Sequence, residues 1–189
     1  MNMAIYLTGP VFVALLVAGS IGGWFIHRKK NWEIRYWLIP AFIFYLLLLV
    51  DTTLFPIYFF EEEIKEWVRQ DVSGRFVFIQ PIPFASIRNY FTPGAKIQLI
   101  GNLLLLMPLS AFNVVCRENC KAWKLALNVS LVSVGIELTQ LAINIMTGYP
   151  SRVTDVDDLI LNAAGAIVAV WITKRLLKQK IIRKLIFRR

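Results

Sequence analysis

Apolar residues arrive in five long blocks, and most polar residues fall in the stretches between them. The blocks run from about Ala4 to Ile26, Tyr36 to Phe55, Ile97 to Val115, Leu125 to Met146 and Leu159 to Thr173. An α-helix rises ~1.5 Å per residue and a bilayer's hydrocarbon is ~30 Å thick, so roughly 20 residues cross it. Each block approaches that length, the fifth by extending into the turn that follows. The pattern predicts an all-α integral membrane protein, a bundle of about five transmembrane helices. The residues between the second and third blocks have a different character. Glu61 to Asp71 predicts a short helix with Ile64, Trp67 and Val68 on one side, ended by Ser73-Gly74. Phe76 to Phe84 reads as extended, because Pro81 and Pro83 each remove a donor and restrict the preceding residue. Ser86 to Phe91 allows one or two helical turns before Thr92-Pro93-Gly94 reverses the chain. Aromatic residues with polar flanks suit the membrane–water interface. The segment reads either as a loop packed on the bundle or as a lid over a site.

Composition agrees. The 189 residues are 57% apolar and only 17% charged, against about 25% charged in an ordinary soluble domain, which excludes a water-soluble globule. A net charge of +9 suggests nucleic acid until the charges are placed. Arg28, Lys29, Lys30 and Arg35 follow the first block; Arg117, Lys121 and Lys124 follow the third. Lys174, Arg175, Lys178, Lys180, Arg183, Lys184, Arg188 and Arg189 follow the fifth. Fifteen of the 21 basic residues thus lie on one side, and only Lys65, Arg69, Arg75, Arg88, Lys96 and Arg152 on the other. Short basic loops stay in the cytoplasm, so the N-terminus is predicted outside and the C-terminus inside. The segment between spans two and three is then extracellular. No basic residue precedes the first block and no small-residue cleavage site follows it, so it reads as a retained span. The tail repeats Leu176-Leu177, Ile181-Ile182 and Leu185-Ile186 between basic pairs, the pattern of an amphipathic helix on an anionic leaflet. Membrane lipids are the expected partner, and nucleic acid is not needed to explain the charge. Cys116 and Cys120 fall on the reducing side, where no disulfide is expected.

Polar residues within the spans carry the functional information, because a central Asp or Glu costs on the order of 3 kcal/mol on insertion scales. Ser133, Glu137, Gln140 and Asn144 are spaced four, three and four apart, one stripe on the fourth span. Asp158, Asn162 and Gly165 open the fifth span with the same period. Gln98 and Asn102 open the third, and Asp51 precedes Pro56, where the second helix is expected to end. At ~1.5 Å per residue, Glu137 lies about 13 Å from its helix's outer end, Gln140 about 9 Å, Asn102 about 8 Å, Asp51 about 6 Å and Asn162 about 5 Å. All fall in the outer half of the bilayer, which predicts an outward-facing polar pocket closed towards the cytoplasm.

The loop from Gly148 to Asp158 holds one cation, Arg152, and the carboxylates Asp155, Asp157 and Asp158. Arg152 is placed to pair with Asp155, Asp158 or Glu137. The same loop also reads as a solvated turn whose Asp residues cap the fifth helix. The stripe has a bland reading too, as interhelical hydrogen bonding. Pro108 predicts a kink in the third span, and Gly19 with Gly23 a close helix contact in the first. With one His and two Cys, no His/Cys metal site and no cofactor is expected.

These motifs resemble a known family. Asn102-Leu103-Leu104-Leu105-Leu106-Met107-Pro108-Leu109 resembles the Asn-Leu-Leu-…-Pro-Leu signature of VanZ-like membrane proteins. Ser133 to Gln140 resembles their Ser-x-x-x-Glu-x-x-Gln stretch. Arg152, Asp155, Asp158, Asn162 and Gly165 match an Arg-x-x-Asp-x-x-Asp-x-x-x-Asn-x-x-Gly stretch, and Pro83-Phe84 resembles the family's Pro-Phe pair. Ser110 stands where a Gly is usual and Leu106 where an aromatic is common. The resemblance divides the chain into 1–35, a first span and basic loop; 36–173, a VanZ-like domain of four spans; and 174–189, a basic amphipathic tail. It implies a multi-pass protein of the bacterial cytoplasmic membrane and a link to teicoplanin and lipoglycopeptide resistance.

Three functional classes follow. In the first, Asp51, Asn102, Ser133, Glu137, Gln140, Arg152, Asp155, Asp158 and Asn162 bind an outer-leaflet envelope component, such as a lipid-linked cell-wall precursor or a lipoglycopeptide antibiotic. In the second the protein is a carboxylate-dependent enzyme, with Glu137, Asp155 and Asp158 as candidate catalytic groups; no nucleophile elbow, zinc motif or phosphate loop is present. The third is a transporter or structural scaffold. Transport is disfavoured by the lack of an internal repeat and by apolar inner halves of the spans.

Overall fold

The computed structural model describes residues 3–7, 9–27, 35–71, 77–88, 93–117 and 121–187. In chain order the elements are β1 (Met3–Ile5), α1 (Gly9–His27), α2 (Arg35–Leu54), β2 (Ile57–Phe59), α3 (Glu62–Asp71) and β3 (Ile79–Gln80). There follow α4 (Ala85–Arg88), α5 (Pro93–Leu105), α6 (Met107–Cys116), α7 (Ala122–Thr147), β4 (Thr154–Asp155), α8 (Val156–Leu176) and α9 (Lys180–Phe187). Arg28, Lys29, Lys30, Ser73, Gly74, Arg75, Phe76, Phe91, Thr92, Cys120, Arg188 and Arg189 lie outside the described residues.

Among the described residues, three helical stretches are long and apolar enough to cross a membrane: Lys96–Cys116, Ala122–Thr147 and Val156–Leu176. Val11–Ile21 and Leu38–Leu54 are shorter apolar stretches within α1 and α2. The helices turn a soluble protein's polarity inside out. On α7, Ser133, Glu137 and Asn144 are buried, whereas Leu131, Leu138 and Ile145 are 60–66% exposed. Such an apolar exterior around polar contacts suits a hydrocarbon solvent.

α8 is the central helix, packed against α5, α6 and α7, while α1 packs on α2. Its buried face carries Leu161, Asn162, Gly165, Ala166, Ala169 and Val170. Small residues at this spacing let neighbouring backbones approach. At Gly165 the approach is extreme, since a Cβ there would lie 1.9 Å from the Leu103 carbonyl oxygen of α5. On α1, Gly19 faces Ile43 of α2. One core cluster joins Leu49, Leu106, Val129 and Ala166; a second joins Val114, Leu125 and Val170, covered by Leu177. Phe42 stacks on Phe112 at 3.7 Å between centroids, tying α2 to α6.

The third block breaks at Leu106, with Pro108 in the first turn of α6. Proline lacks the N–H that would continue the ladder. The Tyr45 hydroxyl, reaching across from α2, donates at 2.9 Å to the carbonyl of Leu105, the last residue of α5. A neighbouring helix thus re-satisfies the backbone, as a break in hydrocarbon requires.

The helical expectation needs one correction: Ala4 and Ile5, expected to open the first span, lie in a strand, Met3–Ile5, that pairs antiparallel with Ile57–Phe59, with Ala4 opposite Tyr58. Ile79–Gln80, within the segment predicted as extended, pairs in parallel with Thr154–Asp155. The prolines around both segments leave backbone groups that helices cannot use, and a partner strand satisfies them. α3 forms as its pattern predicts, with Ile64 and Val68 half-buried and Trp67 exposed. Its Lys65 is buried and lies over the left-handed Gly148 turn that ends α7. The Lys65 ammonium also donates to Glu62 Oε1 at 2.9 Å and holds that carboxyl below its usual range.

Candidate functional site

Two facing helices supply the corners of the site. Ser133 and Glu137 stand one turn apart on α7, and Asp158 and Asn162 one turn apart on α8. Residues four apart share a helix face. The Asn162 amide donates from Nδ2 to Ser133 Oγ at 2.9 Å. The Asp155 N–H, at the start of α8, donates to Glu137 Oε2 at 3.1 Å. Thr154 Oγ1 donates to the Glu137 carbonyl at 3.3 Å. From α5, Asn102 donates through Nδ2 to Asp158 Oδ1. The Gly165–Leu103 approach holds α5 close enough for that bond, one residue from Asn102. The Oδ1 of Asn162 is buried and has no hydrogen-bond partner among the described residues.

The loop between α7 and α8 is locked from below. Asn144 donates from Nδ2 to the Arg152 carbonyl and accepts the Ser151 N–H on Oδ1 at 3.1 Å. Asp155 caps α8 by accepting the Asp157 N–H at 2.8 Å. Its other oxygen accepts from the Ser86 hydroxyl. Two of the turn's aspartates are not solvated: Asp155 is 5% exposed and Asp157 is fully buried.

Asp157 is the residue that sequence reasoning missed. Its Oδ1 accepts the Phe84 N–H, and its Oδ2 accepts those of Ser86 and Ile87 at 2.9 and 3.0 Å. A carboxylate among backbone amides at the N-terminus of α8 is also favoured by the helix dipole. Phe84 adopts φ 65°, a left-handed conformation costly for a bulky residue. That turn aims three amides at one side chain, and their charge-assisted bonds offset the strain. The interfacial segment is therefore fastened to the start of α8 by Asp155 and Asp157 together.

The remaining candidates separate from this centre. Gln140 donates to the Thr53 carbonyl at 2.9 Å and joins α7 to α2. Asp51 is half-buried on α2, and among the described residues no hydrogen bond joins its side chain to the cluster. Arg152 is exposed, and its Nη2 donates to the Phe55 carbonyl at 3.3 Å. The expected pairing of Arg152 with Glu137, Asp155 or Asp158 is not formed among the described residues, because the guanidinium is turned to the end of α2. Glu137 and Asp155 instead have backbone N–H partners. No group of three or more His, Cys, Asp or Glu suited to a metal ion occurs among the described residues. Arg152 is open to the surroundings, and Asp51, Asn102, Gln140 and Asp158 are so in part.

The family model described as VanZ/LLP1 matches residues 42–178. The chain belongs to the VanZ/LLP1 family. Within the matched region lie all the site residues above, together with the Pro83-Phe84 turn. No curated protein and no solved structure matches the chain. A VanZ-family membrane protein thus gathers polar residues from α5, α7 and α8 beneath a segment pinned by two aspartates.

Proposed function

We propose that this VanZ-family protein crosses the bacterial cytoplasmic membrane five times, with its N-terminus outside. In this reading it binds an envelope component at the outer leaflet through Asn102, Ser133, Glu137, Asp158 and Asn162. The observation that carries it is the buried, unpartnered Asn162 Oδ1, one helical turn from Asp158 on α8. A buried acceptor without a donor is costly, roughly 1–3 kcal/mol. The site offers mainly acceptors, so its ligand supplies donors: hydroxyl, amide or ammonium groups. A lipid-linked cell-wall precursor carries such groups at headgroup depth, and a lipoglycopeptide antibiotic does too. Changing how such a precursor is presented is the route by which the protein would confer teicoplanin resistance. Binding is measured with purified protein in nanodiscs and a lipid-linked precursor. Glu137→Gln and Asp158→Asn are expected to lower affinity at least tenfold while membrane levels stay unchanged. Unchanged affinity and unchanged resistance would overturn the proposal.

A second reading rests on Glu137 and Asp158, two carboxylates without an ion-pair partner among the described residues. Such a pair can serve as general acid and base. Conversion of the bound precursor in the same nanodiscs, lost in Glu137→Gln, would make the protein an enzyme; retention of intact precursor would make it a binding protein.

A further inference from the structure

At the other end of α7 and α8 lies a groove of about 790 Å³. Ala126, Leu127, Ile167 and Trp171 line it, and buried Val170 forms part of its floor. Ala122, Ala126 and Ser130 contribute short side chains to its lining. Leu127, Ile167 and Trp171 are each more than half exposed, so the groove opens to the lipid side of the bundle. Its walls therefore accept a hydrocarbon chain. One end is different. Lys174, Arg175 and Lys178 line the groove there, and among the described residues no Asp or Glu does. The Arg175 guanidinium sits over the Trp171 ring at 5.6 Å, and the Lys124 ammonium over Trp123 at 5.5 Å. Cations stacked on tryptophan mark headgroup height, where indoles collect.

An occupant must then be apolar along most of its length and anionic at one end. We infer that this groove is a binding site for an anionic phospholipid, with an acyl chain between α7 and α8 and its phosphate at Arg175 and Lys178. Basic pockets between membrane helices recognise anionic headgroups in this manner. The site is separate from the polar cluster, since Asn162 and Arg175 stand about 20 Å apart along α8. It also differs from the tail surface, because α9 presents its own cations, Lys180 and Arg183.

Native mass spectrometry of the full chain tests the inference, with protein released from vesicles of equal phosphatidylglycerol and phosphatidylcholine. One retained phosphatidylglycerol is expected, in preference to phosphatidylcholine. Arg175→Gln with Lys178→Gln should reduce that preference by roughly thirtyfold, from about 1 kcal/mol per basic residue near an anionic surface. Ala126→Phe should fill the groove and remove the adduct altogether. Lys180→Gln with Arg183→Gln should leave it intact, and added inorganic phosphate should not displace it. Equal retention of the two lipids overturns the proposal. So does loss of preference in the α9 variant with retention in the Arg175/Lys178 variant. The Arg175/Lys178 pair is exposed or lipid-facing, so the test stands even where Ala126→Phe fails to fold.

Discussion

Asp157 shows how much one side chain can organise. Three backbone amides from a segment about seventy residues earlier converge on its carboxylate. Hydrogen bonds to a charged group contribute about 1.5–3 kcal/mol each in net terms, and removing a buried partner costs more. Asp157→Asn keeps the shape but replaces one acceptor with a donor that faces other donors. It is expected to destabilise the protein by roughly 2–4 kcal/mol and to release residues 79–88. Hydrogen exchange in detergent would read this directly, as faster exchange in that segment with little change in α7. Unaltered exchange there would mean that the interfacial segment is held by something else. Asp155→Asn is the milder change, because its cap is replaceable and Asn is itself a good N-cap.

Among the elements, α8 sets the geometry. Gly165 allows α5 to approach, and Asn102 then reaches Asp158. Gly165→Ala would place a methyl within the Leu103 carbonyl, so one helix must move. Overpacking of this kind costs about 1–3 kcal/mol or more, and the movement separates Asn102 from Asp158. A disulfide or crosslinking scan between α5 and α8 should show the shift, with ligand affinity falling alongside stability. Gly135→Ala on the open side of α7, where nothing lies within 4 Å, is the control and should change neither. Much of this was legible in the sequence. Ser133, Glu137, Asn102, Asp158 and Asn162 stood out because hydrocarbon makes polar groups costly and helical spacing puts them on one face. An interruption near Pro108 was legible for a different reason, proline's missing N–H; the sequence predicts a kink there, and the structure breaks the helix two residues earlier, at Leu106. What was not legible depends on distant partners. Nothing near Asp157 distinguishes it from Asp155 or Asp158; its role comes from the Phe84 turn and the orphan amides of α4. The direction of Arg152 depends on where α2 ends, and the two ladders depend on which extended segments meet. A clue lay in Pro83-Phe84 before a short helix, whose first amides need an acceptor.

At the scale of the whole molecule the two ends differ in charge. The polar cluster, with Asp155, Asp157 and Asp158, occupies one; Lys121, Lys124, Lys174, Arg175 and Lys178 occupy the other. In the proposed topology the basic loops put the latter in the cytoplasm, and the proposed role at the outer leaflet depends on that orientation. Cys116 is exposed at the basic end. Val153, 39% exposed in the loop between α7 and α8, marks the opposite end. With Cys120 replaced by Ser, intact cells treated with a membrane-impermeant maleimide should leave Cys116 unlabelled until they are permeabilised. A Val153→Cys variant that also carries Cys116→Ser should be labelled at once. The reverse result would put the cluster on the cytoplasmic face. Lipoglycopeptides and exported precursors could not reach it there, while the lipid groove between α7 and α8 would simply change leaflets. The labelling experiment thus separates the two proposals, since the first fails on inversion and the second survives it.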